Sequence, residues 1–260
     1  MSTTTSADGT LIAYEQTGDG PTVVVVNGAL STATDAAPLA AALAEAGLRA
    51  VTYDRRGRGA SGDARGSTPE QEAEDLAAVI DAVGGDDAAV LGHSSGAVLA
   101  LFAASLGVPI RALFLSEPSF QFGFDEPADD FPEQLQRLVD DGQLEDAVAA
   151  FQLDGVRLPR TVVEGMRAAG QLAALAPLAQ STVYDAQLSR RVSTPPPEML
   201  SVRQPVTILK GARTFPILSA AAERLARDLE GSELVVVAES VMHRPDPAAT
   251  ARVVSERLPR

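Results

Sequence analysis

The 260-residue chain contains no cysteine. Disulfides, thiolate metal sites and cysteine nucleophiles are thereby excluded. Histidine is nearly absent too: only His93 and His243 occur. Any chemistry that needs an imidazole must use one of these two. Two separated histidines without cysteine make no cluster of metal-ligand spacing, so no metal is expected. No G-x-G-x-x-G follows a strand pattern, so a dinucleotide fingerprint is missing. Long apolar runs are lacking. The valine run at 22–26 is far short of the roughly 20 residues that cross a bilayer. Residues 1–10 have neither the basic nor the apolar stretch of a secretory signal. The expectation is a soluble, cytoplasmic protein with no membrane partner. Positive charge is also scarce: 21 Lys and Arg stand against 35 Asp and Glu, a formal net charge of -14. Such a chain repels phosphate backbones, and no nucleic-acid partner is expected. The acidity itself reads as a well-solvated surface.

What is present is an ordinary globular composition, with 45% hydrophobic and 22% charged residues. Short β-branched runs alternate with longer Ala, Leu and Glu stretches. Strands are expected over 11–15, 23–26, 49–54, 88–92 and 111–116, and again over 206–210 and 234–238. Helices are expected over 35–46, 69–83, 95–106, 216–230 and 246–257. Thr68 is the N-cap of the second, with Pro69 at its first position. Strands and helices in this alternation predict βαβ units, an α/β fold with a mostly parallel sheet. Between 119 and 200 no buried strand pattern occurs. Helical periodicity runs instead over 131–151, 160–175 and 177–190, ending at a stiff Thr-Pro-Pro-Pro connector at 194–197. Residues 1–118 and 201–260 therefore read as one core domain, and 119–200 as a helical cap inserted into it.

The most specific motif is Gly92-His93-Ser94-Ser95-Gly96. It matches G-x-S-x-G, with a buried strand pattern before it and an Ala/Leu helix after it. A chain turning sharply from strand into helix brings the positions two before and two after the serine into collision, so both must be glycine. Such a turn lifts Ser94 clear of the sheet at a helix N-terminus, where the dipole favours developing negative charge. Ser94 is the candidate nucleophile. Ser95 is the rival hydroxyl but lacks the glycine spacing. A serine nucleophile needs a base. His93 adjoins Ser94, but neighbours on such a turn point in different directions, so His93 reads as a packed side chain beside it. His243 follows the last strand, where active-site loops of open α/β sheets gather, and is the candidate base.

The chain resembles the α/β-hydrolase superfamily at these positions and at three others. Asn27-Gly28-Ala29 is similar to the family's His-Gly-x segment. The run from Asp54 through Arg55, Arg56, Gly57, Arg58, Gly59, Ala60 and Ser61 to Gly62 closely resembles its D-x-R-G-x-G-x-S loop. A helix beginning near Pro245 fits its C-terminal end. The resemblance implies an oxyanion hole made by the backbone amides of Ala29 and Ser95. It implies a structural loop at Arg55, Arg56 and Arg58, with an anion site as the alternative. Serine at the turn argues against relatives with aspartate there, the haloalkane dehalogenases and epoxide hydrolases. Two departures stand out. Asn27 replaces the usual histidine. The loop 211–216, where members most often carry the triad aspartate, has no carboxylate. The superfamily's alternative position follows the strand after the nucleophile helix, and Glu117 stands there. Glu117 is the candidate acid and Glu239 its rival.

The resemblance implies acyl transfer to water through an acyl-enzyme, without a cofactor, on a small-molecule ester, lactone or thioester. Phe120, Phe122, Phe124, Phe131, Phe151 and Met166 either line a pocket for an apolar acyl or alcohol group or form the core of the helical stretch. Two other classes stay open: a cyclase or lyase using His243 for proton transfer, and a binding protein with a residual pocket. A monomer and a homodimer are both compatible with the sequence.

Overall fold

The β-branched runs form a single eight-stranded sheet in the computed structural model, which describes residues 1–258. The strands are β1 (Ser2–Thr5), β2 (Leu11–Thr17), β3 (Thr22–Val26), β4 (Arg49–Tyr53), β5 (Ala89–His93), β6 (Leu113–Ser116), β7 (Val206–Arg213) and β8 (Glu233–Val241). Their order across the sheet is β1-β2-β4-β3-β5-β6-β7-β8. The first two pairings, β1 with β2 and β2 with β4, are antiparallel; all others are parallel. The chain is the α/β-hydrolase fold that its motifs implied.

Helices α1 (Ala37–Glu45), α2 (Pro69–Ala82) and α3 (Ser95–Ser105) make the first crossovers. Both faces of the sheet are covered, which is why β3 is buried along its whole length. Its side chains alternate between two cores. Val24 and Val26 pack with Leu76, Ile80 and Leu99 on one face. Val23 and Val25 pack with Leu43, Phe114 and Val254 on the other. Helix α2 starts where the sequence places it. Thr68 Oγ1 accepts the Gln71 N–H at 3.3 Å, and Gln71 Oε1 accepts the Thr68 N–H at 3.0 Å.

Between the adjacent strands β6 and β7 the chain leaves the sheet. It runs through α4 (Phe131–Asp140), α5 (Leu144–Ala150), α6 (Arg160–Ala168), α7 (Gln171–Leu175), α8 (Ala179–Val192) and the short α9 (Pro197–Leu200). It then rejoins β7, α10 (Pro216–Asp228), β8 and α11 (Pro247–Arg257). Two of the helices expected here are each split by a left-handed glycine. Gly142 (φ +74) separates α4 from α5, and Gly170 (φ +72) separates α6 from α7. Pro197 opens α9 rather than ending an extended connector. Strand β1 was not anticipated, because Ser2–Thr5 is polar and exposed and carries no apolar alternation.

Parallel pairing brings the carboxyl ends of β3 to β8 to one edge of the sheet, so the turns after them share one region. Glycines test this arrangement. A Cβ added at Gly96 would lie 2.1 Å from the Val26 carbonyl oxygen, whereas at Gly165, on the exposed side of α6, it would meet nothing within 4 Å. Gly165→Ala should raise stability by about 0.5–1 kcal/mol in urea unfolding. Gly96→Ala should lose more than about 2 kcal/mol or fail to fold. Equal effects at the two positions would contradict this packing.

Candidate active site

Strand β5 ends at His93 and α3 begins at Ser95, leaving Ser94 alone in the turn at φ 55, ψ -123. Both flanking glycines are sterically required. A Cβ at Gly92 would lie 2.4 Å from the Gly96 carbonyl oxygen, and one at Gly96 would strike Val26. The Ser94 N–H donates to the Ser116 carbonyl at 2.9 Å, tying the turn to β6. The Ser94 side chain opens onto a cavity that His243 also lines.

Glu117 follows β6 directly and is buried. Its Oε1 accepts the Gly211 N–H of β7 at 2.9 Å, and its Oε2 lies 2.5 Å from His243 Nδ1. Burial by itself would raise the Glu117 carboxyl. The hydrogen bonds from His243 and from the Gly211 N–H outweigh it and hold the group below the usual carboxylate range. With Nδ1 engaged, Nε2 is the ring nitrogen left to exchange a proton. Glu239 is turned away, paired with Arg252 at 3.2 Å on the surface. The Ser95 hydroxyl accepts from Arg55 Nη1 at 3.3 Å.

His93 packs beside the turn. Its Nδ1 lies 3.2 Å from Ser116 Oγ, and its ring centroid is 4.5 Å from that of His243. Desolvation, reinforced by repulsion from His243, pushes the His93 imidazole down to about 3. Among the described residues, eight non-glycine residues have positive φ, and four of them are Ser94, Glu117, Met242 and His243. Backbone strain is thus concentrated on the segments that carry the candidate groups.

Ala29 and Ser95 both line the cavity. Among the described residues, neither of their amides donates to a protein acceptor. Asn27, which replaces the expected histidine, braces this loop by donating from Nδ2 to the Thr32 carbonyl at 2.6 Å. Gly28 lies against the turn, where an added Cβ would sit 3.0 Å from Ser94 Cβ.

The three loop arginines are buried and paired, and none lines the cavity. Arg55 grips Glu72 through two hydrogen bonds of 2.8 Å and reaches Asp185 at 3.0 Å. Arg56 holds Asp75 at 2.6 and 2.7 Å and Asp8 at 2.9 Å. Arg58 holds Asp185 at 2.7 Å. With their guanidiniums committed in this way, they fit the structural reading of the loop and not the anion-site reading.

The cavity encloses about 590 Å³. The aromatic stripe expected from the sequence divides. Phe120, Phe131 and Phe151 line the cavity, together with Val98, Leu188 and Val192. Phe122 packs 5.9 Å from Phe120, Phe124 is exposed, and Met166 packs within the helical segment. Phe215, Ile217 and Asp185 also line it. Sequence reading missed all three. Phe215 sits in a loop read only for its lack of a carboxylate. Nothing in the periodicity of α8 distinguishes Asp185 from a surface charge. Among the described residues no group of three His, Cys, Asp or Glu could hold a metal, and no helix is long and apolar enough to cross a membrane.

A family model described as the alpha/beta hydrolase family matches residues 23–254. An alpha/beta hydrolase from Sphaerobacter thermophilus DSM 20745 is 37% identical with a TM-score of 0.88, covering 98% of this chain and 99% of that one. A thermophilic esterase from Thermogutta terrifontis is 21% identical with a TM-score of 0.70, covering 98% and 95%. The enol-lactonase from Burkholderia xenovorans LB400 is 20% identical with a TM-score of 0.68, covering 96% and 98%. A search of curated proteins finds no match.

The packing of His93 beside the turn has a thermodynamic signature. The folded protein keeps its ring neutral down to about 3, whereas the unfolded chain takes up the proton near 6.5. Stability contributed by the neutral ring is present above about pH 6.5 and is lost as pH falls towards 3. Between about pH 6.5 and 4.5, above the range in which Glu117 titrates, His93→Gln should flatten the fall of Tm with pH. Parallel curves for wild type and variant in differential scanning calorimetry would refute the assignment.

Proposed function

The chain belongs to the alpha/beta hydrolase family, and from that premise we propose that it is a serine hydrolase of carboxylic esters, lactones or thioesters. The observation that carries the reading is the 2.5 Å contact between Glu117 Oε2 and His243 Nδ1, with His243 and Ser94 on one cavity. A carboxylate bonded to Nδ1 fixes the tautomer that leaves Nε2 unprotonated, and it stabilises the imidazolium formed next. His243 takes the proton of Ser94 as its oxygen attacks the substrate carbonyl. The amides of Ala29 and Ser95 receive the oxyanion. His243 then protonates the leaving alkoxide or thiolate, and water repeats the sequence on the acyl-enzyme.

The substrate is a small molecule with an apolar acyl or alcohol portion. Support comes from the walls: Val98, Phe120, Phe131, Phe151, Leu188 and Phe215 surround a volume in the range of small-molecule pockets. In this reading residues 119–200 act as a cap over the core, supplying Leu188 and three of those phenylalanines. The esterase and the enol-lactonase, at 21% and 20% identity, share the fold. The choice of ester-type chemistry rests on the residues around Ser94.

Hydrolysis of p-nitrophenyl esters from acetate to decanoate tests the proposal. Wild type should turn over with an optimum at medium chain length. Ser94→Ala should lose about 10⁴-fold or more in kcat, and Glu117→Gln about 10²- to 10⁴-fold. If wild type is as inert as Ser94→Ala, the proton-transfer lyase, the cyclase and the ligand-binding protein replace this reading.

A further inference from the structure

Arg58 stands between the two glycines of its loop, at a position that the D-x-R-G-x-G-x-S pattern leaves unspecified, and the loop is held without it. Asp54 accepts the Ala33 and Ala60 N–H groups at 2.7 and 2.8 Å, and Arg56 is locked onto Asp75. Arg58 is nonetheless buried, with two partners. Its Nη1 donates to the Gly28 carbonyl at 2.7 Å and its Nη2 to Asp185 Oδ2 at 2.7 Å, while its buried Nε has none. A trans peptide points its C=O and the following N–H in opposite directions. Drawing the Gly28 oxygen into the buried arginine cluster therefore turns the Ala29 N–H the other way. Ala29 lies on the cavity wall and Gly28 against Ser94, so that direction is the cavity.

Asp185 comes from α8, in the helical segment, and itself reaches the cavity wall. Its two oxygens join Arg58 to Arg55, whose Nη1 also lies 3.3 Å from both the Asn27 carbonyl and Ser95 Oγ. Two arginines, Glu72 and Asp185 make a neutral buried set. Removing the Asp185 charge leaves two guanidiniums facing one carboxylate, and their repulsion pushes Arg58 off Gly28. We propose that Arg58 and Asp185 are positioning residues that aim the Ala29 amide at the oxyanion, so that the helical segment sets half of the oxyanion hole as well as the pocket wall. The proposal rests on the serine-hydrolase reading and deepens it.

The test uses Arg58→Met, Asp185→Asn and Arg58→Lys, each first shown to be folded by near-UV circular dichroism. On the best p-nitrophenyl ester, kcat should fall about 10- to 100-fold in the first two, with KM within about two-fold. The pH–rate profile should keep its shape, because Glu117 and His243 are untouched. Arg58→Lys, which keeps the charge but cannot hold both partners as a fork does, should recover part of the loss. Asp185→Asn preserves volume and one acceptor oxygen, and it stands in if Arg58→Met does not fold. Wild-type kcat in either folded variant overturns the proposal. A crystal structure of the variant decides it independently of activity. A Gly28–Ala29 peptide rotated from its wild-type plane supports the positioning role, and an unmoved peptide refutes it. An inert wild type counts against the hydrolase reading, while the peptide plane still judges this one.

Discussion

The hydrogen bond between Glu117 and His243 links the end of β6 to the turn beyond β8, and so must cross the end of β7. That crossing constrains everything around it. Glu117 passes the end of β7 at Gly211. A Cβ on Gly211 would lie 2.9 Å from Glu117 Oε1 and 2.7 Å from the Ser240 carbonyl oxygen. The missing side chain opens the route, and the Gly211 N–H steadies the carboxylate along it. On the far side, the Met242 N–H donates to the Arg213 carbonyl at 2.9 Å, fixing the turn that presents His243. Both ends of the bond sit on left-handed backbone, at Glu117 and at His243. A strained conformation of order 1–3 kcal/mol persists only where surrounding contacts over-determine it. Here the parallel pairings of β5 to β8 provide that rigidity.

A second constraint is electrostatic. Arg55, Arg56 and Arg58 are among the most deeply buried side chains of the protein. Buried ions are tolerated only in matched, hydrogen-bonded sets, because each costs several kcal/mol to desolvate. Glu72 and Asp75 come from α2 and Asp185 from α8. The helical segment is therefore joined to the sheet by ion pairs as well as by apolar packing. An apolar contact tolerates sliding; a bidentate carboxylate between two guanidiniums does not. This pins α8 relative to the loop after β4, whose arginines also hold the Asn27 and Gly28 carbonyls after β3, and so fixes the cavity wall relative to Ser94.

The fold was legible because its signals are local. Valine runs, capping residues and the glycines at 92 and 96 each dictate their own conformation. Glu117 was legible for a related reason: a carboxylate ending a buried strand is costly without a partner. What the sequence concealed is non-local. Asp185 reads as one charge among many on a helix until the fold brings two buried arginines to it. Gly142 and Gly170 split helices whose periodicity runs on unbroken, since a lone glycine inside a helical pattern is compatible with the helix continuing and does not by itself mark a break. Strand β1 joins the sheet edge through backbone pairing with β2, to which its polar side chains give no clue. The phenylalanines divide between cavity and core according to which way each helix is rotated, a tertiary property.

On the proposed mechanism, the position of the acid bears on the pocket as well as on the chemistry. A triad carboxylate in the loop after β7 would need residues 211–216 to curl back towards His243. With Glu117 entering from β6, that loop carries no carboxylate and has no such duty. It holds Phe215 and Pro216 instead, and both line the cavity with Ile217 and Leu218 at the start of α10. Phe120, just beyond Glu117, lines it as well. On the proposed mechanism, moving the acid by one strand converts a polar loop into an apolar wall and leaves the Nδ1 contact intact. On that mechanism, an acid after β6 leaves Phe215 and Pro216 free to serve as pocket wall, which couples the pocket to the architecture of the proposed triad.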